Sequence, residues 1–143
     1  MKQIAIIGMG ALGLLFGQPI AKYLPGQPCY IMDSERAQRH GKECYTINGE
    51  EIRPRILTPD LAEPADLVFV GVKYPELPAV MDTMEPSVGE HTIIISLMNG
   101  VDSEMLLAER FGREKVLYSV SQEMDAQRYG SELVYSKAGR LYI

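Results

Sequence analysis

The chain has 143 residues, 46% of them hydrophobic and 23% charged, enough for one sizeable core and too few for two. Thirteen glycines and nine prolines are near average, which excludes collagen-like, disordered and coiled-coil chains. Fourteen basic against nineteen acidic residues give a net charge of −5, which argues against nucleic acid as a partner.

Met1-Lys2 and the mostly apolar run from Ile4 to Phe16 superficially resemble a secretory signal. Gly8, Gly10, Gly13 and Gly17 interrupt that run, and Gln18-Pro19-Ile20-Ala21 is a weak cleavage site. A structural reading accounts for it better. Gln3 to Ile7 suits a buried parallel strand, followed by a glycine loop and a helix from Leu14 to Leu24. After the turn Pro25 to Pro28, Cys29 to Met32 forms a second strand, and Ser34 can cap a helix reaching His40. Glu43 to Ile47 and Glu51 to Leu57 flank Asn48-Gly49, a strong hairpin signal. Leu67 to Val72 and Thr92 to Leu97 are buried strands, with a helix from Pro75 to Met84 between them. A helix from Asp102 to Phe111 stops at Gly112, and Val116 to Val120 is a sixth strand. Met124 to Gln127, Glu132 to Ser136 and Arg140 to Ile143 read as short closing strands.

This alternation calls for an α/β fold: a Rossmann-type, doubly wound, mostly parallel sheet with helices on both faces. Short antiparallel strands belong at its C-terminal end. All of residues 1–143 would form one dinucleotide-binding domain. In the order 3-2-1-4-5-6 the third strand lies at an edge. The run ending at Leu57 suits an edge, because it carries Arg53, Pro54 and Arg55. No run reaches the ~18 apolar residues of a membrane span, so no membrane partner is expected. Cys29 and Cys44 have no metal or redox spacing, which predicts no metal and a reducing cytoplasm. His40 and His91 are expected at the surface without partners.

Gly8-Met9-Gly10-Ala11-Leu12-Gly13 follows a strand, opens a helix and precedes the acidic residue Asp33 by twenty residues. Gly8 permits the tight turn, Gly10 a close approach to pyrophosphate, and Gly13 the packing of helix on strand. The helix start then holds the phosphates with its free N–H groups. Asp33, beside Ser34, would accept the adenosine ribose hydroxyls, favouring NAD and repelling the extra phosphate of NADP. Arg36 could instead reach that phosphate.

Ligands in such sheets bind beyond the carboxyl ends of the strands, where the winding reverses. Val72 and Lys73 follow the fourth strand there, and Asn99 follows the fifth. An ammonium at Lys73 could bind a carboxylate or polarise a carbonyl.

The ordered set of Gly8 to Gly13, Val72-Lys73 and Asn99-Gly100-Val101-Asp102-Ser103-Glu104 resembles the N-terminal domain of ketopantoate reductases (2-dehydropantoate 2-reductases). The Asn48-Gly49 hairpin and the closing Val134-Tyr135 and Gly139-Arg140-Leu141 strands fit that pattern too. The resemblance implies hydride transfer from NADPH to the ketone of a 2-keto acid, with Lys73 and Asn99 at the nicotinamide and substrate end. It also implies a helical C-terminal domain that supplies a catalytic lysine and a substrate-binding glutamate, so this stretch is expected to be inactive alone. The family usually has a basic residue where Asp33 stands. A homodimer is compatible with the reading. The alternatives are a non-catalytic NAD(P)-binding sensor and the cofactor domain of a related hydroxy-acid dehydrogenase.

Overall fold

The computed structural model describes residues 3–143, so Met1 and Lys2 of the signal-like start lie outside it. Strands β1 (Ile4–Ile7), β2 (Pro28–Ile31), β5 (Ile56–Leu57), β6 (Ala65–Val70), β7 (Val88–Ser96) and β8 (Val116–Leu117) form one sheet. Its order is β5-β2-β1-β6-β7-β8 and every pairing is parallel, as the alternation required.

Alternate residues of a strand face opposite sides. From β1, Ile4 and Ile6 enter one core while Ala5 and Ile7 enter the other. Helix α1 (Ala11–Tyr23) covers the first face with Leu14 and Leu15. Helices α3 (Leu77–Met84) and α4 (Asp102–Phe111) cover the second with Leu77, Val80, Met84 and Leu107. Each such fully buried side chain contributes about 1.5–3 kcal/mol. Gly112 ends α4 with φ of +106°, which favours glycine.

Three expected strands are broken in the structure. The run from Glu51 to Leu57 splits at Pro54, which has no N–H for a ladder. Its first part, β4 (Glu50–Ile52), pairs antiparallel with β3 (Tyr45–Ile47) around Asn48 and Gly49, both at positive φ. Only its second part, β5, forms the sheet edge. The hairpin joins β10 (Gln127–Tyr129) and β11 (Glu132–Val134) in a second sheet, β10-β11-β3-β4. Tyr45 and Leu133 carry that sheet into the first core, both 0% exposed. The expected strand from Val116 to Val120 likewise divides into β8 and β9 (Val120–Met124), and β9 pairs antiparallel with β12 (Ala138–Tyr142). The expected strand at Met124 to Gln127 is the end of β9 and the start of β10.

Helix α1 begins at Ala11, one turn before the expected Leu14. Helix α2 (Ser34–Gly41) is capped by Asp33 and not by Ser34, because Asp33 Oδ1 accepts the Arg36 N–H at 2.9 Å. The segment from Pro75 starts inside a 3-10 turn, Tyr74–Glu76, that leads into α3.

Candidate functional site

A crevice of 1380 Å³ opens where the winding of the parallel sheet reverses, beyond the ends of β1 and β6. Gly8, Met9, Gly10, Ala11 and Leu12 line one wall. Gly8 has φ of +99°, and a Cβ there would stand 2.4 Å from the Gly71 carbonyl oxygen. At Gly13 a Cβ would stand 2.0 Å from the Gly8 carbonyl oxygen, so this glycine lets the helix lie on the strand. Gly10 differs. A Cβ there meets only the Gly71 oxygen, at 3.8 Å, and otherwise points into open space.

Gly10 is the N-cap of α1, with no side-chain cap and no acidic residue in the first turn. The first N–H groups of this thirteen-residue helix are therefore free to take an anion. The donor set and the space over Gly10 both fit a dinucleotide's diphosphate.

Asp33 and Arg36 line the far end of the crevice, and Asp33 Oδ2 stands 3.5 Å from Arg36 Nε. Arg39, His40 and Glu43 line it as well. His40 is not the unpartnered surface residue expected. Its side chain is 11% exposed, and its Nδ1 meets the Tyr45 hydroxyl, which donates to Glu43. Burial lowers the His40 pKa, the hydrogen bond from Tyr45 lowers that of Glu43, and burial raises that of Tyr45. Neither Ser34 nor Gly13 lines the crevice.

At the opposite end stand Val72, Lys73, Met98 and Asn99. Lys73 caps the 3-10 turn, its carbonyl taking the Glu76 N–H at 2.9 Å. Asn99 sits on a loop anchored by a buried chain of hydrogen bonds. Met98 N–H reaches Ser96 Oγ at 3.2 Å, Ser96 meets Ser103 Oγ at 2.8 Å, and Ser103 donates to Glu104 at 2.7 Å. The crevice thus offers an anion cradle between an end lined by Asp33, Arg36 and Arg39 and an end lined by Lys73 and Asn99. Four lysine and arginine side chains line it against three carboxylates, although the whole chain is acidic.

The family model for ketopantoate reductase PanE/ApbA matches residues 4–143. The chain belongs to that family. Over 113 residues it is 27% identical to the 2-dehydropantoate 2-reductase of Lactococcus lactis subsp. lactis (strain IL1403), covering 71% of this chain and 35% of that protein. The crystal structure of the 2-dehydropantoate 2-reductase from Geobacter metallireducens GS-15 matches with a TM-score of 0.76 and 28% identity. That match covers 97% of this chain and 48% of the Geobacter chain. D-mandelate dehydrogenase in complex with NADH has the same fold, with a TM-score of 0.77 and 19% identity over 97% of this chain and 45% of its own. This ketopantoate reductase family chain therefore spans between a third and a half of the relatives it matches.

Sequence reasoning missed Arg39, Glu43, Arg128 and the Ser96-Ser103-Glu104 chain as parts of this site. Ser103, Glu104 and Leu107 are the buried residues of α4, and Ser103 and Glu104 close the Asn99 to Glu104 run that carries the family resemblance. Arg128 has no such local signal, because its partner Met9 lies at the other end of the chain.

Proposed function

We propose that the chain binds a nicotinamide dinucleotide and forms the cofactor half of an oxidoreductase that reduces the ketone of a 2-keto acid. The observation that carries this reading is the open space over Gly10 at the uncapped start of α1, in a chain of the ketopantoate reductase family. The diphosphate would lie on the N–H groups of that helix start. The adenosine ribose would lie at Asp33, and the nicotinamide between Lys73 and Asn99. D-mandelate dehydrogenase, a neighbour in fold, holds NADH.

NAD(H) is the cofactor Asp33 favours. Its carboxylate faces the ribose end, where a 2′-phosphate would meet like charge. Arg36 Nε stands 3.5 Å from Asp33 Oδ2, so the carboxylate partly offsets the charge that Arg36 would offer a 2′-phosphate. Both side chains are about half exposed, so the pair orients Arg36 more than it stabilises the fold.

The bound nicotinamide would supply the hydride. The Lys73 ammonium would attract the keto acid's carboxylate or polarise its carbonyl, and Asn99 would orient the reacting end through its amide.

Calorimetric titration of the chain with NADH and NADPH tests this reading. Tighter binding of NADH is the expected result. Equal or tighter binding of NADPH would overturn the preference, and no binding of either would overturn the function.

A further inference from the structure

Arg128 projects from β10 of the second sheet into the crevice. Its Nη1 donates to the carbonyl of Met9, between the two glycines that shape the anion cradle. Its Nε donates to the Gly130 carbonyl at 2.7 Å, and its guanidinium lies 5.7 Å from the centre of the Tyr45 ring. These contacts fix the plane of the group. A guanidinium has five N–H donors, and two of them meet backbone carbonyls. Among the described residues no carboxylate lies within 4.0 Å of it, so its charge is not locally paired. Glu43 feels that charge from further away.

An oriented, half-buried cation beside an open cradle is suited to a diphosphate, which it can grip with paired N–H donors. We infer that Arg128 is a phosphate-binding residue of the dinucleotide site, brought to the glycine loop by the second sheet. This rests on the proposed dinucleotide function. It also gives the second sheet a role: β11 pairs with β3 and with β10, which holds Arg128 against the glycine loop.

A residue that only clipped the sheet to the loop would affect every ligand alike. A phosphate ligand would not. The test measures binding of ADP-ribose and of adenosine to the wild-type chain, Arg128→Gln and Arg128→Lys, at several salt concentrations. Arg128→Gln should weaken ADP-ribose binding roughly 10- to 100-fold while adenosine binding stays within about twofold. The dependence of ADP-ribose affinity on salt should also become shallower, because one fewer cation faces the phosphates. Arg128→Lys keeps the charge and loses the fork, so its loss should be smaller and its salt dependence should match the wild type. It carries the test alone should Arg128→Gln fail to fold.

Failure of the wild-type chain to bind ADP-ribose would overturn the dinucleotide reading and this inference together. Wild-type binding with unchanged ADP-ribose affinity in the variants would overturn the inference alone. Equal losses for adenosine and ADP-ribose would also overturn it, showing a clip.

Discussion

The Tyr30 hydroxyl donates to the Gly13 carbonyl across 3.1 Å, and Gly17 is what leaves it room. A Cβ at Gly17 would stand 2.2 Å from that hydroxyl and 2.7 Å from Ile6 Cδ1. Burial raises the Tyr30 pKa and keeps the hydroxyl a donor. The second strand thereby grips α1 just where the glycine loop ends, so the aim of the helix start depends on a strand outside the loop.

Gly17→Ala should destabilise the fold by about 1–3 kcal/mol, despite alanine's better helix propensity, because the site is already full. Tyr30→Phe should cost about 0.5–1.5 kcal/mol through its lost hydrogen bond. The double variant should lose less than the sum, since phenylalanine removes the nearest clash. Urea midpoints of the four proteins measure the coupling, and strictly additive losses would contradict it.

The three glycines of the loop should separate in their effects. Gly10→Val should fold normally and lose NADH binding, because its side chain enters the space over the helix start. Gly13→Ala should instead lose stability, with its Cβ forced against the Gly8 carbonyl oxygen at 2.0 Å. Thermal melts and cofactor titration of both variants check this. A folded Gly10→Val chain with unchanged affinity would rule out the cradle.

The parallel sheet was legible because its strands announce themselves locally. Unbroken apolar runs such as Leu67 to Val70 suit only a sheet buried on both faces, and the glycine loop orders the first two elements around them. Asn48-Gly49 announced its hairpin equally well. The sheet to which that hairpin belongs was not legible, because Thr46 pairs with Glu132 far along the chain and no local pattern encodes such a pairing. At Asp33 the side chain does two things, capping α2 and facing the crevice, and the sequence suggested only the second. His40 was misjudged because its burial comes from Tyr45 of the second sheet, on a helix that shows no buried residue.

The hydrogen-bond chain beneath Asn99 runs in one direction, from Met98 N–H through Ser96 and Ser103 to Glu104, which is 1% exposed. Ser103→Ala breaks it in the middle and leaves the Glu104 carboxylate without that donor. The expected cost is about 1–3 kcal/mol, with NADH binding weakened and ADP-ribose binding unchanged, because only the Asn99 end is disturbed. Ser103→Thr keeps a hydroxyl and should retain most of both. Equal loss for the two ligands in Ser103→Ala would show that the chain does not serve the Asn99 loop in particular.

Acid should weaken the fold through the His40-Tyr45-Glu43 cluster. His40 is held below its ordinary 6.5 by burial, with Glu43 opposing and Arg39 and Arg128 reinforcing the shift. The folded state therefore binds this proton less readily, and stability is lost as pH falls below about 6.5. Glu43, lowered from 4.5 by the hydrogen bond from Tyr45, adds stability above that value that is lost as pH falls through its folded pKa. Urea midpoints should decline steadily from pH 7 to pH 4. His40→Gln should flatten the upper part of that decline, and an unchanged slope there would remove His40 from the explanation.

Lys73 is expected to act on the nicotinamide end of the ligand alone. It lines the crevice with Asn99, at the opposite end from Asp33, and its side chain is open to solvent. Lys73→Ala should leave ADP-ribose affinity within about twofold while weakening NADH or keto-acid binding; equal losses for ADP-ribose and NADH would place it elsewhere. The same exposure bears on turnover. Hydride transfer to a ketone leaves an alkoxide that needs a proton from a positioned acid, in a cleft closed to water. An exposed lysine on an open wall can attract a carboxylate but neither closes the cleft nor fixes the ketone against the nicotinamide, and positioning of that kind supplies several kcal/mol of a barrier. The 143-residue chain should therefore bind cofactor yet show no steady oxidation of NADH or NADPH with ketopantoate or a panel of other 2-keto acids. Steady oxidation that Lys73→Ala abolishes would mean these residues suffice for the reaction.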